Sequence, residues 1–147
     1  MTYLTPIYEP TVFSLVEMSV DVTHASGDTV LFDTLTHTSA NTNVTLSSNV
    51  ITLEPGEYYL QGSLGMNRNV DTDTYDGTFW NNATATELQE ADGWFSSITQ
   101  AYRDTGSLVF QGHVVLTSAL SFYMKSTGAA GTMKEDSSYI FIMRTGA

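Results

Sequence analysis

The chain has 147 residues and a formal net charge of −11, from 16 acidic residues against five Lys and Arg, and no cysteine. That length suits one domain with a core large enough to fold without staples, and the missing cysteines exclude disulfides, thiolate catalysis and Cys-ligated zinc together. The acidic balance sets the surface against phosphate backbones and anionic lipid, so neither nucleic acid nor a membrane is an expected partner.

The opening stretch, "MTYLTPIYEP", carries Pro6 and Pro10 and no basic or long apolar region. It reads as an extended arm over residues 1–10, without a visible leader, ahead of one domain at 11–147. Runs of β type then recur between turn signals. "TVFSLVEMSV" (11–20) is first, "DTVLFDTLTH" (28–37) second and "NVTLSSNVITL" (43–53) third. "GEYYLQGSLGM" (56–66) follows a Pro-Gly turn and sets Tyr58 beside Tyr59. Neighbours on a strand point to opposite faces, so this strand carries a large aromatic on both. An irregular middle holds "ATATELQEAD" (83–92), the one candidate for a helical turn. "GSLVFQGHVVL" (106–116), "ALSFYMKS" (119–126) and "SSYIFIMRT" (137–145) complete the set. Short strands at this spacing predict an all-β sandwich or barrel.

The runs are of two kinds. "NVTLSSNVITL" and "GSLVFQGHVV" alternate polar with apolar residues, as strands of a sheet with one wet face do. "TVFSLV", "EYYLQG", "LSFYM" and "YIFIM" are apolar at consecutive positions, which predicts burial on both faces. One face meets the opposite sheet. With no helix predicted to cover the other, the simplest cover is a second copy of the chain, with a ligand or a different partner as the alternative.

The order "VLFDT" (30–34), a loop, "NVITLEPGEYYLQG" (49–62), a glycine-bearing strand and the final "SSYIFIM" (137–143) resembles the tumour-necrosis-factor and complement-q globular-head superfamily. "GSLVFQGHVVLTSALSFYMKS" (106–126) is similar to that family's penultimate portion. The resemblance spans roughly residues 11 to 145. It implies a ten-stranded antiparallel jelly roll of two sheets, assembling as a threefold trimer whose inner sheet faces the axis. Carried onto this chain, it turns Tyr58, Leu60, Ile140 and Ile142 into the sandwich. Tyr59 and Gln61 would face the axis, with Tyr139 and Phe141 toward neighbouring subunits. The chain departs from the family in showing no collagen-like stalk, no anchor and no cysteine, and its long middle loop prevents transfer of any receptor-binding residue.

Little in the sequence points to chemistry. His24, His37 and His113 are scattered and read as surface or strand-end residues. "DTDTYDG" (71–77) begins like a calcium loop with Asp71 and Asp73, but Asp76 falls one position late and Asn82 stands where a loop glutamate belongs. Asn43 and Asn82 fit glycosylation sequons that chance supplies readily in a Thr-rich chain. Trp80 and Trp94, beside Asn and Asp, are candidate glycan contacts, although tryptophan more often plugs a core. No nucleophile elbow, P-loop or dinucleotide turn is present. The expectation is therefore a non-enzymatic protein without cofactor or metal.

The main functional expectation is a trimeric virion structural protein. It would be a phage capsid decoration or cement protein on the outside of the head, made in the host cytoplasm and bound to a capsid shell protein. The arm residues Tyr3, Leu4, Ile7 and Tyr8 would make the capsid contact. The alternatives are the receptor- or glycan-binding tip of a viral fibre and a secreted recognition head of the complement-q kind.

Overall fold

Pro55 and Gly56 turn the chain into its longest strand, and that strand organises the first of two sheets. A computed structural model describes residues 13–37, 43–68, 74–88, 98–101, 105–128 and 130–146. The predicted arm, residues 1–10 with Tyr3, Leu4, Ile7 and Tyr8, lies outside them. The strands in chain order are β1 (Phe13–Glu17), β2 (Val22–His24), β3 (Thr34–His37), β4 (Val44–Ser47), β5 (Val50–Leu53) and β6 (Gly56–Arg68). They continue with β7 (Thr74–Asn81), β8 (Thr86–Glu87), β9 (Ile98–Ala101), β10 (Thr105–Leu116), β11 (Leu120–Gly128), β12 (Gly131–Met133) and β13 (Tyr139–Gly146).

All strand pairs are antiparallel. In the first sheet β6 is paired along one edge by β10. Its other edge is shared: β13 takes the first half and β12 the second. β1 and then β3 continue outward from β13, and β2 lies beside β12. The second sheet runs β4-β5-β11-β7, with β8 and β9 both on the far edge of β7. The thirteen segments among the described residues thus fill ten strand positions, five in each sheet, which is the jelly roll the resemblance implies.

Alternation along each strand builds the core between the sheets. From the first sheet come Val16, Tyr58, Leu60, Leu64, Leu108, Phe110, Ile140 and Ile142, and from the second Ile51, Leu53, Phe79, Phe122 and Met124, all essentially inaccessible. Phe79 of β7 meets Phe110 edge-on at 5.2 Å and Phe122 at 5.7 Å, so an aromatic cluster ties the two sheets together. Tyr58 is fully buried, and its hydroxyl donates to the Glu54 carbonyl at 2.8 Å, which removes the cost of an unpaired phenol. Burial pushes the Tyr58 phenol above its usual pKa.

Local chemistry explains the joints. Ser48 and Asn49, both at positive φ, turn β4 back into β5 as a two-residue hairpin. Phe32 of "VLFDT" is buried in the core, while the adjacent Asp33 carboxylate accepts the Ser19 amide and hydroxyl. Those bonds, the Ser19 hydroxyl foremost, hold Asp33 below the usual carboxylate pKa. Over the described part of the predicted helical turn, residues 83–88, the chain makes one tight turn, closed by the Ala85 amide on the Asn81 carbonyl at 2.9 Å, and does not continue as a helix; residues 89–92 lie outside the described residues. Asn81 Oδ1 accepts the amides of Ala83 and Thr84, Ala85 takes a positive φ of 53°, and Thr86–Glu87 return as β8. Asparagine mimicking a backbone turn outweighs the weak helical propensity of the run.

Candidate functional site

The outer face of the first sheet is built from the alternate residues that the core does not use. Three cross-strand rows run over β1, β13, β6 and β10: Phe13–Met143–Tyr59–His113, Leu15–Phe141–Gln61–Gln111, and Glu17–Tyr139–Ser63–Val109. Phe13 and Phe141 stack at 5.0 Å between ring centres. The Tyr59 hydroxyl donates to Gln111 Oε1 at 3.0 Å, and His113 Nε2 lies 2.7 Å from Glu57 Oε1. Phe13, Tyr139, Val109 and Val115 lie on this face, four of the six large apolar side chains that stay exposed among the described residues. Val115, beside Glu57, is 64 % exposed. An isolated Val is unremarkable on a surface, but several aromatic and aliphatic side chains gathered on one face are the kind of patch that marks interaction surfaces.

The four residues the resemblance assigns to an interface all lie on this band. Tyr59 and Phe141 are half-buried, while Gln61 and Tyr139 are exposed. The sequence reading missed their companions Phe13, Met143, Val109, Gln111, His113 and Val115. It read β10 correctly as a strand with one wet face but set it in a different sheet from β6, which β10 pairs over twelve positions of the first sheet. The reverse error falls on "LSFYM", read as buried twice. It lies in β11 of the second sheet, where Tyr123 stands opposite Trp80 of β7. There the cover is intramolecular: the Lys125 ammonium sits 4.1 Å from the centre of the Trp80 ring and 5.8 Å from that of Tyr123. The Trp80 indole also donates to Thr78 Oγ1 at 2.8 Å. Trp94, Asp71 and Asp73 lie outside the described residues.

The histidines do not converge. His37 Nδ1 and the buried Ser14 hydroxyl are 2.8 Å apart, and His113 is on the exposed band. His24, expected at a strand end, does end β2 but is buried to 2 % exposure, and neither ring nitrogen has a hydrogen-bond partner among the described residues. Burial depresses its pKa, against a smaller opposing effect from Asp28, 3.8 Å away. No group of three or more His, Asp or Glu among the described residues is gathered to hold a metal ion. No helix among them is long and apolar enough to cross a membrane.

No protein-family model matches the chain, and no curated protein matches it in sequence. Solved structures match it in fold. Murine APRIL at pH 8.5 superposes with a TM-score of 0.63 at 10 % identity, covering 91 % of this chain and 98 % of that one. Eiger TNF from S. frugiperda gives 0.59 at 12 % identity, covering 92 % and 93 %. The globular domain of zebrafish complement 1qA gives 0.52 at 14 %, covering 91 % and 95 %.

These matches, all to animal proteins, correct the expectation of a phage capsid decoration or cement protein, and with it the capsid-shell partner, the virion exterior and synthesis in a host cytoplasm. That expectation leaned on a chain read as almost all one head and on its acidic, cysteine-free composition, neither of which bears on what a fold presents. An exposed apolar band asks for a partner, and it does not ask for a capsid. Over nine-tenths of its length the chain has the jelly-roll fold of the tumour-necrosis-factor and complement-1q globular heads.

Proposed function

We propose that this chain is a non-enzymatic recognition head that closes into a homotrimer through the outer face of its first sheet. The observation that carries the reading is the three-row band over β1, β13, β6 and β10, with Tyr59, Gln61, Tyr139 and Phe141 at its centre. Its composition suits a second copy of the same chain. In a protein of charge −11, the only acids in or beside the rows among the described residues are Glu17 and Glu57, and Glu57 faces His113. Copies can therefore approach here without the repulsion the rest of the surface imposes. Cyclic closure is the geometry by which such a face covers itself completely.

The trimer supplies the display, and the remaining surface does the recognising. Three chains of −11 carry about −33 in all, so the macromolecular partner presents a basic face and its on-rate falls as salt rises. The test of assembly is solution mass by light scattering at micromolar concentration. Three chains of 16.1 kDa give about 48 kDa. Tyr59→Asp places a carboxylate in the middle row and is expected to yield folded monomers. A wild-type mass near 16 kDa, or a trimer indifferent to Tyr59→Asp and Phe141→Asp alike, would overturn the reading.

A further inference from the structure

At one end of the sandwich the β7–β8 turn and the β10–β11 turn face each other across an open cleft of about 410 Å³. Small-molecule sites occupy roughly 300–1,000 Å³, so the volume is sufficient. Its floor is aliphatic, with Leu116 and Leu120 partly buried and Leu88 at 7 % exposure. Its rim is hydroxyl and amide, supplied by Asn81, Thr117 and Ser118. None of the described lining residues is ionisable.

The polar groups differ in how far they are engaged. Asn81 spends its side-chain oxygen on the amides of Ala83 and Thr84, which fixes the carboxamide and leaves its NH₂ as a donor. Thr84 and Thr86 bond each other at 2.7 Å and present a ready-made wall. Thr117 and Ser118, in the exposed β10–β11 turn, carry hydroxyls that both donate and accept. Among the described residues the lining is thus apolar below, with neutral donors and acceptors around the edge and no charged group.

We propose that this cleft binds an uncharged sugar. A pyranose ring has the same two-sided chemistry, with a C–H face to lie on Leu116 and Leu120 and equatorial hydroxyls to meet Asn81, Thr117 and Ser118. An acidic sugar finds no cation here and meets the repulsion of a −11 protein. An aliphatic chain would leave the rim groups unpaired. All the lining residues named belong to one chain, and one of them, Val115, also lies on the outer band, so the cleft borders the proposed trimer face.

The test is a titration of the ¹⁵N-labelled protein with galactose, glucose and N-acetylglucosamine, alongside glucuronate and 1-hexanol as probes of charge and of an apolar chain. At least one neutral sugar is expected to shift the amides of residues 84–88 and 116–120 with millimolar affinity, at least tenfold tighter than glucuronate and hexanol. Ala119→Trp, which fills the cleft from its exposed turn, should abolish those shifts, and Ser118→Ala should weaken binding severalfold. Melting curves and solution mass of both variants separate loss of the site from loss of fold or of the trimer. No shift with any neutral sugar, equal binding of glucuronate or hexanol, or shifts that survive Ala119→Trp would each overturn the assignment.

Discussion

Gly62 is the position where one methyl group tests the most of this structure. It lies in the middle of β6 between Phe110 of β10 and Ile140 of β13, and the Phe110 ring occupies the space its missing side chain leaves. A Cβ there would press on the tip of the Phe110 ring and on the Tyr139 carbonyl oxygen, with Phe110 Cε2 at 2.8 Å. The ring cannot swing away, because Phe110 is 1 % exposed and locked edge-on against Phe79. The oxygen is backbone, so relief requires β13 to move from β6 by on the order of 1 Å, given that carbon and oxygen settle at ~3.3 Å or more. That displacement stretches the adjacent ladder bonds, worth about 1 kcal/mol each, and overpacking a tight core adds about 1–3 kcal/mol. Gly62→Ala should therefore destabilise by about 3–5 kcal/mol and lower Tm by roughly 10 °C or more at fixed protein concentration. Urea and thermal unfolding provide the assay. Pairing the change with Phe110→Leu relieves the ring but not the carbonyl, so the double variant should remain less stable than Phe110→Leu alone. A loss of less than about 1 kcal/mol for Gly62→Ala would refute the close packing of β6, β10 and β13 on which the outer band depends.

His24 makes stability depend on pH in a stated direction. Its folded pKa lies below the usual ~6.5, so as pH falls through that value the unfolded chain takes up the proton first and stability declines, by at most ~1.4 kcal/mol per pH unit. His24→Phe should remove that slope, seen by comparing urea midpoints of the two proteins at pH 5 and pH 7.5; an unchanged difference would mean His24 is hydrated in solution. Lys125→Ala should cost about 0.5–1 kcal/mol and redshift or quench Trp80 emission little, since the indole stays held by Thr78; a larger loss would mean the ammonium has another partner. Asn81→Ala frees two turn amides and should cost about 1 kcal/mol while loosening the β7–β8 turn in hydrogen exchange; protection equal to wild type would show that the turn closes without it.

Much of the architecture was legible before any coordinates. Consecutive apolar runs divided by Gly, Pro and Asn signals are a local property, and they predict an all-β sandwich because side chains alternate with period two. Tyr58 and Tyr59 illustrate how far this reaches. Adjacent large aromatics must occupy opposite faces, and the structure puts Tyr58 at 0 % exposure while Tyr59 stands half-buried on the outer band. The jelly roll came only through the family resemblance that "VLFDT", "PGEYYL" and "YIFIM" carry in that order, and the fold matches support it.

What the sequence could not decide was which strand lies beside which, because hydrogen-bond pairing across a sheet leaves no mark in either strand alone. "GSLVFQGHVV" and "LSFYM" were assigned to the wrong sheets for this reason. The polar alternation of β10 does give a wet face in the described chain, with Gln111 and His113 exposed, but that face is shared with β6, where Tyr59 bonds Gln111 and Glu57 meets His113. The apolar density of β11 needs no second copy, since Trp80 and Lys125 cover Tyr123 within the chain. His24 and the end cleft belong to the same class. A buried imidazole and an uncharged hollow both arise from segments far apart in sequence, and only the packing of two sheets brings their walls together.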